Sequence, residues 1–338
     1  MYDLLRESFQ TFAQAEAATS SPLYEFLSYK IADDEELLEV IRYIPKTQPK
    51  PNLFFAAVHY LLMQVDDPLR NYYPSLTTNP LPFHESYPLF KSFALKHQQQ
   101  MKQIFQEKLV QTNEVRRSAY LYPLIASIYE REQKPLALIE IGSSAGLLLA
   151  LDHYNYRYNN DLRINLHERP FTIQSVNNGN PLPTSMTNKP EIKERIGIDL
   201  NVVDLQNPDE YCWMQALIWP EHQERRQQFI EAKAINDTVK KVMIEGDAIQ
   251  LLPKAIQQIN KNHQIVIFHT HVANQLPKEV KKSLIDVLKN ESTSRSLYHI
   301  YNNLYDMDLH QDYISHGEVQ SIRILPKPDG HARWFHWN

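Results

Sequence analysis

The stretch Leu136-Ala-Leu-Ile-Glu-Ile-Gly-Ser-Ser-Ala-Gly146 constrains this chain more than any other. The chain has 338 residues but only seven glycines, and Gly142 and Gly146 fall in one five-residue window. Average usage would give roughly three times as many glycines. The apolar run Leu136 to Ile141 reads as a buried strand. Gly142 and Gly146 bracket a tight turn, and Leu147 to Leu151 reads as the start of a helix. Glycine is needed where φ is positive or where a ligand comes too close for a Cβ. Strand, glycine turn and helix in that order form the nucleotide-binding unit of α/β proteins, whose backbone N–H groups and helix N-terminus face a ligand. The plainer reading is a strand-to-helix turn without a ligand.

The spacing is Glu-x-Gly-x-x-x-Gly, with Glu140 two residues before Gly142 and Ser144 where a middle glycine would fall. A dinucleotide fingerprint places its acid about 20 residues after the glycines. No Gly-Lys-Ser/Thr follows, so a phosphate-binding P-loop is excluded. The arrangement resembles the first motif of S-adenosylmethionine-dependent methyltransferases, where the loop wraps the methionyl and ribose part of the cofactor.

Composition removes several function classes. The net charge of -5 comes without a basic block, which argues against a nucleic-acid surface. The single cysteine, Cys212, allows neither an internal disulfide nor a cysteine zinc cluster. No signal pattern opens the chain and no apolar run approaches membrane-spanning length. The expectation is a soluble cytoplasmic protein with no membrane partner, acting on a small molecule. Nothing in the chain speaks to its oligomeric state.

Residues 1–130 read as helical. Ser20-Ser21-Pro22 offers a cap and a first-turn proline. Asp33-Asp34-Glu35-Glu36 precedes an apolar helix, where acids favour the dipole. After Pro135 short apolar runs alternate with helices, the pattern of a parallel sheet with crossovers. Strands are expected at Leu136–Ile141, Ile196–Leu200, Lys241–Glu245, Gln264–His269 and Leu297–Tyr301, with Glu318–Leu325 and Ala332–Trp337 as a closing antiparallel hairpin. Residues 155–190 read as an insertion. The expected fold is therefore α/β, a Rossmann-like, methyltransferase-type sheet over residues 131–338 behind an N-terminal all-α domain that caps the ligand edge.

Several segments together resemble a known family. They are Gln111 to Ala119, Glu140 to Gly146, Leu151-Asp-His-Tyr154, Gly197-Ile-Asp-Leu-Asn201 with Asp204, Trp219-Pro-Glu221 and Gly246-Asp-Ala248. In order and spacing the chain is similar to the bacterial domain-of-unknown-function family 2332, from Ser21 to Trp337. That family has no established activity, and it looks like a variant S-adenosylmethionine methyltransferase fold. The family's closing Asp-His-Gly stands here as Asp329-Gly330-His331, which leaves His331 without an assigned role.

The methyltransferase resemblance implies particular sites. Glu140, Gly142, Ser144 and Gly146 would form the cofactor loop. An acid ending the second strand would hold the ribose. Asp199 follows the compact run Ile196-Gly-Ile198 and is preferred, whereas Glu168 fits the usual spacing of about 20 residues but lies in a polar, alternating run. Asp247, just past a strand, would accept from the adenine amino group, or simply cap the following helix. Asn113, Glu114 and Arg117 would line the far side, Arg117 suiting a carboxylate. Otherwise Thr112 caps a helix there and Glu114 pairs with Arg117. His269 is the candidate base, or a structural imidazole. A metal-dependent hydrolase using His269 and His271 with Asp247 and Asp152 or His153 is a third possibility. A protein that binds S-adenosylmethionine without turnover is the second.

Overall fold

Side-chain caps set the helix starts that the sequence marks. Ser21 accepts from the Tyr24 N–H ahead of α2 (Pro22–Ala32), and Asp34 accepts from Glu36 and Leu37 ahead of α3 (Glu35–Ile41). The computed structural model describes residues 2–159, 161–168 and 171–338. The chain divides into two compact units, Met1–Thr112 with Asp204–Gln227, and Asn113–Val203 with Gln228–Asn338.

The first unit also holds α1 (Asp3–Phe12), α4 (Lys50–Gln64), α5 (Tyr87–Lys96), α6 (Gln98–Glu107) and α8 (Pro208–Ala216). Its centre is aromatic: Tyr24 stacks on Phe55 at 4.1 Å, and Phe9, Phe12, Phe90 and Trp219 pack around this pair. Glu221 ties residues 204–227 to α2. Its Oε2 accepts Ser21 Oγ at 2.6 Å and its Oε1 accepts the Leu23 N–H at 3.0 Å. The Trp-Pro-Glu segment thus serves a helix N-terminus, where a carboxylate is favoured.

The second unit contains α7 (Ser118–Glu132), β1 (Leu136–Ile141), β2 (Asn155–Tyr158), β3 (Leu162–Ile164), β4 (Thr172–Asn177) and β5 (Ile192–Asp199). The helix α9 (Gln223–Asn236) re-enters it, followed by β6 (Val242–Glu245), α10 (Ala248–Gln258), β7 (Gln264–His269) and α11 (Lys278–Glu291). The chain closes with β8 (Leu297–Tyr301), β9 (Leu309–Ser315), β10 (Glu318–Leu325) and β11 (Trp334–Phe335). Among the described residues a seven-stranded sheet has the order β10-β9-β8-β7-β1-β5-β6, and a four-stranded sheet the order β11-β4-β2-β3. The strands from β8 to β6 run parallel; β9 and β10 are antiparallel additions. The protein is thus a mixed α/β chain with a helical N-terminal region and a mostly parallel sheet.

Every residue of β1 is buried, as a central parallel strand requires. Ile139, Ile141, Ile196, Ile198 and Ile267 pack under α10 and α11 through Leu252, Ile256, Leu284 and Leu288. Alternation sends Glu140, Gly197 and Asp199 to the opposite face.

Three expectations are corrected. Leu147 to Leu151 does not begin an α-helix: Leu148–His153 is a short 3-10 turn leading into β2. Side chains satisfy the carbonyls an α-helix would use. Tyr154 Oη donates to Leu147 O, Arg195 Nε to Leu149 O, and Tyr156 Oη to Leu151 O. The connection from β1 to β5 therefore runs through the small sheet, which occupies the expected insertion; residues 160, 169 and 170 lie outside the described residues. Second, Glu318–Leu325 and Ala332–Trp337 do not form a hairpin. The strand β10 pairs with β9 across His316 and Gly317, both at positive φ, a tight hairpin turn. Residues Trp334–Phe335 join β4 in parallel. Third, β5 starts at Ile192, four residues before the expected Ile196.

Candidate functional site

The chain reverses its direction of sheet growth at β1. It moves from β1 to β5 and β6 on one side, then to β7 and β8 on the other. In open α/β sheets ligands bind beyond the carboxyl ends of the strands at such a reversal. Here that place holds the 142–146 loop after β1, Asp199 at the end of β5 and the segment after β7.

The loop is defined by three left-handed residues, Gly142 at φ 71°, Ser144 at 47° and Gly146 at 67°. A non-glycine residue in that region is strained, and Ser144 is held there from three segments. Its N–H donates to Asp199 Oδ2 at 2.7 Å, its Oγ accepts Asn113 Nδ2 at 2.9 Å, and its carbonyl accepts the Val203 N–H at 3.2 Å. The Gly142 and Ser143 amides donate to Ile198 O, and the Gly146 amide to Ser143 O. Most of the loop amides are thus used within the protein. A Cβ on Gly142 would overlap Val272 Cγ2, and one on Gly146 would stand 3.1 Å from Met243 Sδ. The glycines make room for side chains of this chain itself.

Glu140 lies beneath the loop, 4% exposed, and its Oε2 has no hydrogen-bond partner. Burial pushes its carboxyl well above the usual range, the charge of Asp199 pushes the same way, and Arg117 opposes. Ser143 Oγ beside it is also without a partner. Asp199 is raised by burial, while the amides of Asn201 and Ser144 pull it down and Glu245 pushes it up. The structure therefore brings Glu140, Gly142, Ser144, Gly146, Asp199, Asn113 and Arg117 into one neighbourhood.

Thr112 is not the cap at 113–117. Glu114 caps the 3-10 turn Val115–Arg117 through the Arg116 N–H, and its Oε2 accepts His331 Nδ1 at 2.8 Å. Arg117 Nε donates to Gly330 O at 3.0 Å. The imidazole of His271, at φ 59°, is neutral; burial, then Arg117 and His331, lower its pKa to about 3. The backbone N–H of His271 donates to Asn302 Oδ1 at 2.7 Å.

Asp247 and His269 are placed apart from that group. Asp247 is exposed and caps α10 through the Ile249 N–H at 2.8 Å. His269 shares the α11 face with Ile265 and Ile267, 1% exposed, its ring against His299 and Tyr301. Burial, then Lys281, lowers its pKa to about 4, so it is a neutral core imidazole at pH 7. Glu168 is exposed in a bend between β3 and β4 of the small sheet, not at the end of a strand beside β1. Asp152 pairs bidentately with Arg195 at 2.7 and 2.9 Å and serves the turn after the loop. Among the described residues no group of three His, Cys, Asp or Glu is arranged to hold a metal ion. No helix among them is long and apolar enough to cross a membrane.

Sequence reasoning missed the Glu114–His331 pair, Asn302 and the role of Val272. Only Asn302, beyond the apolar β8, stands at a strand end that could have marked it.

Fold and site define a mixed α/β protein with a polar cluster at the switch point of its sheet. The chain belongs to DUF2332, described as an uncharacterized protein conserved in bacteria, whose profile matches residues 6–337. No curated protein and no solved structure matches it.

Proposed function

We propose that this protein is an S-adenosylmethionine-dependent methyltransferase acting on a small-molecule acceptor. The observation that carries the reading is Glu140. It is a buried carboxyl with an unpartnered oxygen, next to Asp199 at the end of the neighbouring strand. A buried polar atom left unpaired costs about 1–3 kcal/mol, and a ligand amino or hydroxyl group would remove that cost.

The donor set suits such a cofactor. Glu140 and Asp199 offer acceptors, and each oxygen of Asp199 has a second lone pair beyond the one its amide takes. Asn113, Ser144 and Arg117 complete the set, and Asp247 lies two residues past the end of the next strand outward. The bound cofactor would supply an electrophilic methyl group on a sulfonium leaving group. The residues would contribute alignment and exclusion of water. The methyltransferase-type Rossmann fold is part of this proposal; the parallel order β6-β5-β1-β7-β8 supports it, while the missing helix after β1 is a departure from it.

Calorimetric titration with S-adenosylmethionine and its demethylated product tests the reading. Micromolar binding followed by transfer of labelled methyl to extract metabolites is the expected result. Binding without transfer would favour a nucleoside-binding protein, and no binding at all would sink the proposal.

A further inference from the structure

We infer that Glu114 and His331 form a carboxylate–imidazole dyad, and that His331 Nε2 takes the proton from the methyl acceptor. This rests on the proposed methyl transfer for its reaction, but not for its geometry.

The geometry is that of an oriented base. Glu114 is buried, its side chain 3% exposed, whereas the His331 side chain is 42% exposed. A carboxylate only accepts, so the 2.8 Å bond from Nδ1 fixes the proton on that nitrogen and leaves the Nε2 lone pair free. The backbone is held as well. Asp329 Oδ1 accepts the His331 N–H at 3.1 Å, and Arg117 Nε reaches the Gly330 carbonyl. Asp329 is itself pinned by Arg333 through both carboxylate oxygens. Among the described residues, Arg117, Asp329 and Arg333 are charged neighbours, with neutral His271 alongside. Arg117 links the dyad to Glu140, on which its charge also acts.

An acceptor hydroxyl or amine must lose a proton when methylated. The acceptor's lone pair forms the bond to the methyl carbon, and the carbon–sulfur bond breaks with its electron pair remaining on sulfur. His331 Nε2 receives the acceptor's proton, and Glu114 stabilises the imidazolium that results. His331 is the catalytic residue and Glu114 the positioning one. His269, buried under α11, lacks the exposure this task needs.

The test uses the full chain with two probes. Diethyl pyrocarbonate, followed by peptide mass spectrometry, reads the free Nε2 without any cofactor. His331 should be modified at least tenfold faster than His269 or His271, and Glu114→Ala should slow the modification of His331 severalfold relative to the wild type. Methyl-labelled S-adenosylmethionine with the small-molecule fraction of a bacterial extract reads transfer. His331→Asn keeps a donor for Glu114, so it should retain the fold by circular dichroism and bind S-adenosylmethionine within about threefold. It should lose about 10²–10⁴ in transfer, and the acidic limb of the pH–rate profile should vanish. Transfer by His331→Asn within threefold of wild type, on an unchanged pH profile, overturns the dyad. If the wild type binds no S-adenosylmethionine, the methyltransferase reading fails together with the proton transfer built on it, and only the oriented imidazole is left to test. The dyad then stands or falls on whether Glu114→Ala slows the modification of His331.

Discussion

The N–H of Ser144 donates to Oδ2 of Asp199 at 2.7 Å, and this bond joins the end of β5 to the loop after β1. Oδ1 of the same carboxylate accepts the Asn201 N–H at 2.9 Å. Asp199 therefore holds a left-handed serine in place as well as standing where a ribose acid is proposed. Asp199→Ala leaves two amides without their acceptor. It should destabilise the second unit by about 1–3 kcal/mol, read as a lower melting temperature and faster amide exchange at Ser144.

The buried carboxyl of Glu140 makes stability depend on pH in a defined direction. Its folded pKa is raised well above the ordinary glutamate value of 4.5. A raised acid contributes its full stability below the unfolded pKa and loses it as pH rises through the folded pKa. Glu140→Gln stays neutral throughout. The variant and the wild type should melt together below about pH 4.5, and the variant should gain relative stability as pH rises. Parallel melting curves at every pH would contradict the burial argument.

Gly142 and Val272 should behave as a coupled pair. Alanine at 142 meets a left-handed φ, costing about 1–2 kcal/mol, and an overlap with Val272, adding about 1–3 kcal/mol. In a Val272→Ala background the overlap is relieved and the φ cost remains. A double-mutant cycle in denaturant should therefore give a coupling of about 1–3 kcal/mol. Additive losses would mean that Val272 does not press on the loop.

The Asp152–Arg195 pair is a structural ion pair beneath the loop. Both side chains are under 10% exposed. Asp152→Ala leaves an uncompensated buried guanidinium and should cost about 3–5 kcal/mol. The double change Asp152→Leu with Arg195→Met should cost less than the single one, measured by thermal melting.

Legibility followed the locality of the signal. The strands β1, β7 and β8 lie where the expectation put them, because their apolar runs are buried on both faces. The start of β5 was hidden by Lys193, Glu194 and Arg195, since Arg195 is buried only because Asp152 meets it. The strand β9 was hidden by His310, Gln311 and Asp312. Two of these polar residues find partners in the fold: Asp312 accepts from Tyr301 on the neighbouring strand, and His310 donates to Asp306 in the loop before β9. The missing helix after the loop has the same origin, because Tyr154, Tyr156 and Arg195 supply from elsewhere the donors a helix would have supplied locally. At the site, Glu140 and Asp199 could be read as acids near strand ends. His331 stands 217 residues from Glu114, and no spacing announces their bond.

The central claim is that the cluster around Asp199 and Glu140 receives S-adenosylmethionine. Isothermal titration of the purified chain tests it most directly, with Asp199→Ala and Asp247→Ala alongside. The account predicts saturable one-to-one binding to the wild type, lost with Asp199→Ala and weakened with Asp247→Ala. Absence of heat and of any melting shift in the wild type, or equal affinity in all three proteins, would contradict it.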